Sequence, residues 1–214
     1  MNVSVVLVTY RRLKSIGRLV DEWLKETPDV WLCDCSVKGV RVNPKAKIVR
    51  ACPDPGNKIR HAAALMTTGD LVIKADDDIC PRPGIVKAFV EHAMTLGPAI
   101  YGIHGRKFRG PDYYHNTKLF GSKSIPAPTP VDFVGVMTCS VRQYLPMDLR
   151  DCHTEVEDLY WQMKCYPRAK KFVIVTDKFH NLQESKDKGR LCGTPASRFV
   201  RNSYYKDYYL RNYK

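Results

Sequence analysis

The sequence predicts an α/β fold built on a mostly parallel central sheet with helices on both faces. Short β-branched runs alternate with stretches of helical periodicity, which is the pattern of βαβ units. The first run, Val3 to Thr9, is apolar without alternation, as expected of a strand covered on both faces. Acidic residues stand at strand ends, Asp34 after the second strand and Asp76-Asp77-Asp78 after the fourth. In sheets of this kind ligands bind beyond the carboxyl ends of the strands.

Along the chain, Val3 to Thr9 is the first strand and Lys14 to Glu26 a helix. Ile16, Leu19, Val20, Trp23 and Leu24 form one apolar stripe on it, and Pro28 stops it. Val30 to Cys33 and Lys47 to Arg50 are further strands, the latter closed by Pro53-Asp54-Pro55-Gly56. Asn57 caps a helix expected to reach about Thr68, with Gly69 as its stop. Leu71 to Lys74 follows as a strand. Pro83 sits where helices start, and Ile85, Val86, Phe89, Val90 and Ala93 give an amphipathic helix ending at Gly97. In the second half, Ala99 to Ile103 reads as a strand and Gly105 to Pro130 as a long loop. Val131 to Val141 reads as a strand or strand pair, Glu155 to Lys164 as a helix, and Phe172 to Thr176 as a last strand running toward His180.

The chain has 214 residues, 44% hydrophobic and 27% charged, an ordinary globular composition with room for one sizeable core. The N-terminus shows neither a basic n-region nor a cleavage site, and no window approaches the ~20 apolar residues that span a bilayer. The expectation is a soluble, cytoplasmic protein starting at Met1, in the host cell if phage-encoded. Cys33, Cys35, Cys52, Cys80, Cys139, Cys152, Cys165 and Cys192 show no zinc or redox spacing and are expected as buried free thiols. The 35 Lys and Arg against 22 Asp and Glu leave a net charge of +13, which fits either simple solubility or an anionic partner.

The acidic triplet carries the chemistry. Side chains alternate along an extended chain, so Asp76 and Asp78 share one side and can converge on one cation. Carboxylates suit Mg²⁺ or Mn²⁺, which keep positions for water and substrate phosphates. A solvated acidic turn is the bland alternative, but three adjacent carboxylates repel one another unless a cation offsets them.

Val72-Ile73-Lys74-Ala75-Asp76-Asp77-Asp78-Ile79, followed by Pro81 and Pro83-Gly84, resembles the Asp-x-Asp segment of GT-A glycosyltransferases, especially the Lys-x-Asp-Asp-Asp form of fringe-like enzymes. Val5 to Arg12 is similar to the first strand of that fold, covering a resemblance that runs over about residues 3 to 180. The resemblance implies a GT-A fold and a nucleotide-sugar donor, with a UDP-sugar favoured. It places Thr9, Tyr10 and Arg11 beside the nucleotide, Asp34 on the base, and Asp76 and Asp77 at the diphosphate. It makes Asp76, Asp78 and the late histidine His180 the metal ligands, for Mn²⁺ or Mg²⁺. Asn57-Lys58-Ile59-Arg60-His61-Ala62-Ala63 departs from the family-2 pattern at this helix, leaving Lys58 and Arg60 as candidate donor contacts. Glu155-Val156-Glu157-Asp158 resembles the Glu-Asp motif of inverting members, with Asp158 as the catalytic base and Glu157 as the second choice. First-turn acids are also favourable in any helix.

The expected organisation is a catalytic domain over 1–183, with a nucleotide-sugar half (1–98) and an acceptor half (99–183), then a basic, tyrosine-rich tail or lid over 184–214. Arg106, Lys107, Arg109, Lys118 and Lys123 alternate with Phe108, Tyr113, Tyr114 and Phe120. Lys186, Lys188, Arg190, Arg198, Arg201, Lys206, Arg211 and Lys214 lie among five tail tyrosines. Cations for phosphates and aromatics for bases suit a nucleic-acid groove, so the acceptor hypothesis is DNA carrying a hydroxymethylated pyrimidine, flipped out to the metal site. A glycan, lipid or protein acceptor is the alternative, and the tail then acts as a donor lid, a membrane-surface contact or a solvated terminus. A sugar-phosphate nucleotidyltransferase would carry a glycine-rich loop after the first strand, which Thr9-Tyr10-Arg11-Arg12-Leu13 lacks. A basic nucleic-acid-binding module without turnover is the non-catalytic alternative.

Overall fold

The computed structural model describes residues 1–9, 14–51, 56, 58–120, 125–146, 148–152, 156–182 and 195–212. The strands are β1 (Val3–Thr9), β2 (Asp29–Asp34), β3 (Lys47–Arg50), β4 (Leu71–Ala75), β5 (Ile79–Pro81), β6 (Ile100–Lys107), β7 (Thr117–Phe120), β8 (Thr129–Pro130), β9 (Phe133–Val141), β10 (Lys171–Val173) and β11 (Phe179–Asn181). The helices are α1 (Ile16–Glu26), α2 (Lys58–Met66), α3 (Ile85–Leu96), α4 (Glu157–Leu159), which continues as a π-helical stretch over Tyr160–Cys165, and α5 (Pro195–Asn212).

The main sheet has the order β3-β2-β1-β4-β9-β6-β10-β8, with β7 on the far part of β6. Its first four strands are parallel. β9 enters antiparallel between β4 and β6, and β10 runs parallel to β6. β5 and β11 form a separate antiparallel pair.

Helices cover both faces, and the alternation of side chains along β1 explains why its sequence is apolar throughout. Val3, Val5 and Leu7 face α1, whose stripe of Ile16, Leu19, Val20 and Trp23 is buried against them. Val6 faces the other way, onto Ala63 and Ala64 of α2. The small alanines let that helix approach the sheet. Glu26, at the end of α1, accepts hydrogen bonds from the amides of Gly84 (3.0 Å) and Val86 (3.2 Å). A carboxylate from one helix thus satisfies the unpaired donors at the start of α3.

The second half corrects the expectation of a loop from Gly105 to Pro130. β6 runs on to Lys107, and the segment also holds β7, β8 and a 3₁₀ turn over Tyr113–His115. The polar, glycine-containing run Ile103 to Lys107 becomes a strand because it has partners on both sides, β7 and β9. Gly105 is required there, since a Cβ would lie 2.4 Å from Val173 Cγ2. The helices are also shorter than the periodicity suggests: α1 begins at Ile16 and α2 ends at Met66.

Residues 195–212 form a helix whose Tyr205 is fully buried. Tyr205 packs with Tyr113, Phe133, Val156 and Leu159, and its hydroxyl donates to the Gly110 carbonyl at 2.9 Å. The amide of Tyr113 donates to Asn202 Oδ1 at 2.8 Å. No helix among the described residues is long and apolar enough to cross a membrane. Cys33, Cys35, Cys80, Cys139, Cys152 and Cys165 are free thiols; Cys52 and Cys192 lie outside the described residues.

Replacing Tyr205 by Ala should lower the unfolding free energy by about 3–5 kcal/mol, the cost of emptying an aromatic site in a packed cluster. Tyr205→Phe should cost about 0.5–1.5 kcal/mol for the lost hydroxyl bond. Urea denaturation checks both values; an alanine variant as stable as the parent would mean that α5 does not dock as described.

Candidate functional site

Parallel register brings the candidate donor residues to one edge. Thr9 pairs with Asp34, and Leu7 with Ala75, so β1, β2 and β4 end side by side and Asp76 follows directly. The triplet turns sharply, with the Ile79 amide donating to the Asp76 carbonyl at 3.2 Å. β11 lies alongside, pairing His180 with Cys80, and the Leu182 amide donates to the Asp78 carbonyl at 2.8 Å. The backbone at the triplet is therefore held from two directions.

Arg60, on α2, joins the two acidic motifs. Its guanidinium donates to Asp76 Oδ1 at 2.8 Å and to Glu157 Oε1 at 2.5 Å. The side chain of Arg60 is 11% exposed and that of Glu157 only 2%. Burial works against the Arg60 charge, but Glu157 and Asp76 outweigh it and hold the guanidinium protonated. For Asp76, burial raises the carboxyl above its ordinary value against the pull of Arg60, and Asp78 raises it further. Burial lifts Glu157 to about 7 despite Arg60.

Asp158 has a different partner from Glu157. It is ion-paired with Arg201 of α5, and both side chains keep slight exposure. Behind Arg60 lies a buried basic cluster. Lys74 Nζ sits 3.0 Å from the centre of the Trp161 ring and 3.5 Å from His61 Nδ1. Burial, with the nearby Arg60 charge, depresses Lys74 well below its usual range; burial, then Lys74 and Arg60, does the same to His61. A lysine facing an aromatic ring inside the protein is held by that ring's quadrupole in place of water.

Thr9 is buried, and its Oγ1 has no hydrogen-bond partner among the described residues. Tyr10 and Arg11 lie outside them. Asp34 accepts from the Ser36 amide (3.0 Å), Ser36 Oγ (2.5 Å) and the Val40 amide (3.0 Å), so it shapes the turn after β2 from within. Lys58 is half-buried in the first turn of α2, while Asp77 and Asp78 are half-buried at the edge. His180 Nδ1 is buried and unpartnered among the described residues. Asp76, Asp78 and His180 are not gathered into one cluster: among the described residues no three His, Cys, Asp or Glu side chains stand together as a preformed ion site.

β9 deforms beside the triplet. Val136 has φ 68°, which a β-branched residue adopts only under strain, and the β6 register shifts between Gly102 and His104. Lys74 pairs with Thr138, so the deformation falls where β4 gives way to Asp76. Bulges concentrate next to functional sites, where they re-aim the chain.

Sequence reasoning placed Arg201 only among the basic residues of the tail and foresaw neither its pairing with Asp158 nor the Lys74–Trp161 contact. Lys74 carried a signal, a lone cation in a strand expected to be buried on both faces. Arg201 carried none, because its partner is 43 residues away.

The architecture is the GT-A glycosyltransferase fold, a mixed α/β layer with the acidic residues Asp34 and Asp76 to Asp78 at the carboxyl edge of the parallel strands. The chain is similar in structure to S. aureus TarS, a GT-A glycosyltransferase: for the TarS 1–349 structure the TM-score is 0.58 at 15% identity, covering 100% of this chain and 73% of that one. For a longer TarS structure the TM-score is 0.63 at 16% identity, covering 99% of this chain and 40% of that one. No protein-family model and no curated protein sequence matches.

Glu157 predicts a pH dependence of stability. Its folded value of about 7 lies above the ordinary 4.5, so the folded chain holds a proton there that the unfolded chain has released. Its contribution to stability is complete below the unfolded value and is lost as pH rises through about 7. Denaturation across this range should show stability from this group falling with pH, and Glu157→Gln should flatten the fall. An unchanged slope in the variant would assign the titration to another group.

Proposed function

We propose that the chain is a metal-dependent, inverting glycosyltransferase that moves a sugar from a nucleotide-diphosphate donor, a UDP-sugar, to an acceptor hydroxyl. The observation that carries the reading is Arg60, which joins Asp76 of the triplet to Glu157 beside Asp158 on a GT-A scaffold. Donor-side and acceptor-side acids are thereby set at one site.

The donor set suits a hard divalent cation. Asp76 and Asp78 would hold Mn²⁺ or Mg²⁺, leaving positions for diphosphate oxygens and water, and the unpartnered His180 Nδ1 lies on the neighbouring strand. When bound, the ion neutralises charge that develops on the diphosphate. Thr9, Lys58 and Asp77 surround the donor in this reading; Tyr10 and Arg11, proposed for the same role, lie outside the described residues. Asp34 supports it by shaping the turn that faces the base, and Arg60 by holding Asp76.

Asp158 is the base. The acceptor oxygen attacks the anomeric carbon as the bond from that carbon to the diphosphate oxygen breaks. The nucleoside diphosphate leaves with the electron pair, and the hydroxyl proton passes to Asp158. Glu157 is too buried to meet an acceptor and supports the site through Arg60.

For the acceptor we favour a hydroxymethylated pyrimidine in DNA, because Arg106 of β6 and Arg201 of α5 converge on the Tyr113 ring beside Asp158. Nucleoside-diphosphate release from UDP-sugars with Mn²⁺, with and without hydroxymethylated DNA, tests the reading. Release stimulated by that DNA supports both parts. Release without stimulation moves the acceptor to a glycan, lipid or protein, and no release leaves a non-catalytic binding module. Asp78→Ala should abolish metal-dependent release. Asp158→Asn should reduce transfer about 10²–10⁴-fold while donor affinity, measured calorimetrically, stays within a few-fold.

A further inference from the structure

Three arginines from distant parts of the chain meet two adjacent tyrosines on the acceptor side. The Arg106 guanidinium, from β6, lies 4.2 Å from the Tyr113 ring centre and 5.8 Å from that of Tyr114. Arg198, on α5, lies 5.7 Å from Tyr114, and Arg201 lies 5.1 Å from Tyr113. Arg106 also donates to the Tyr113 carbonyl at 3.1 Å. Among the described residues neither Arg106 nor Arg198 forms an ion pair, while Arg201 is shared with Asp158. Of the other carboxylates nearby, Glu157 lies within electrostatic reach of Arg201 but is paired with Arg60, Asp132 accepts from the Phe108 amide, and Asp112 accepts from the amides of Tyr114 and His115 and pairs with His115.

Guanidinium groups drawn to the same aromatic pair repel one another, and that repulsion is offset when an anion sits among them. An arginine stacked on a ring keeps its edge N–H groups in the plane of the fork, which matches two oxygens of a phosphate. Arg198 is exposed and Tyr114 half-buried, so the cluster opens to solvent. Arg201 ties it directly to Asp158.

We propose that Arg106, Arg198 and Arg201, on the Tyr113–Tyr114 platform, form a phosphate subsite that grips the backbone of a phosphodiester acceptor strand beside the reacting hydroxyl. The assignment deepens the glycosyltransferase reading and rests on it for its catalytic meaning. A phosphate entering the subsite competes with Asp158 for Arg201. Seating the strand therefore frees the carboxylate that receives the acceptor proton, and a hydroxyl without a neighbouring phosphate leaves Asp158 engaged.

The test is fluorescence anisotropy with a fluorescein-labelled single-stranded oligodeoxynucleotide, titrated with the full chain across a NaCl series. Affinity should fall with salt, and each lost arginine should lower the slope of log affinity against log salt by about 0.7, one single-strand phosphate contact. Arg198→Gln, at an exposed position that leaves the core untouched, should weaken binding several-fold and reduce the slope. Arg201→Gln should do the same, while Lys87→Gln on α3 should bind as the parent does. Arginine variants that match Lys87→Gln in affinity and slope overturn the subsite. Salt-independent binding overturns it too, as does binding to anionic phospholipid vesicles with none to the oligonucleotide. Donor turnover by the unsubstituted chain is read separately: turnover without strand binding removes the subsite alone, and strand binding without turnover removes the glycosyltransferase reading and leaves the phosphate contact.

Discussion

The site depends on one buried guanidinium. Arg60 has two carboxylate partners from distant parts of the chain, and only a rigid fork of donors can serve both at once. Its backbone is fixed by α2, which lies on β1 through Ala63 and Ala64. The position of the triplet relative to the Glu157–Asp158 pair therefore follows from helix packing. Taking Arg60 away would remove the cation that both Glu157 and Asp76 share, and burial would then favour their protonated forms. Lys74 occupies the same interior against the Trp161 ring, where burial works against its charge.

A second constraint comes from the C-terminal helix. Its mean composition is polar and its apolar face is narrow, yet Tyr205 is completely enclosed. The aromatic cluster that receives it is assembled from the 3₁₀ turn at Tyr113, from Phe133 and from α4. Because Arg201 leaves the same helix to reach Asp158, docking of α5 and the setting of the candidate base are one event. A segment that reads as a basic tail is thus a helix packed into the aromatic cluster beside Asp158.

Between these two linkages the sheet changes character. The parallel half presents its strand ends in register, and β9 then reverses direction and carries the strained Val136 past the triplet. Strain of that kind persists only where the surroundings hold it. Here β4 and β6 grip β9 on both sides. The deformation lets an antiparallel half with longer, more irregular connections join a regular parallel one.

Much of the first half was legible in the sequence because burial leaves a local record. The unbroken apolar run of β1 and the spacing of Ile16, Leu19, Val20 and Trp23 state which faces are covered, and all of these helix residues are buried. The acids at strand ends were visible for the same reason: strand length and alternation place them. In the second half the record fails, since β6, β7 and β9 are strands by virtue of one another and the run His104 to Lys107 has no pattern of its own. The sequence by itself determined the α/β class, the core of the parallel half of the sheet and the residue types at the candidate site. Tertiary structure alone decided that Arg60 binds Asp76 to Glu157, that Arg201 takes Asp158, and that Lys74 lies against Trp161. Ion pairs and ring contacts between residues far apart in the chain leave no period or spacing behind; they exist only once packing has brought their backbones within reach.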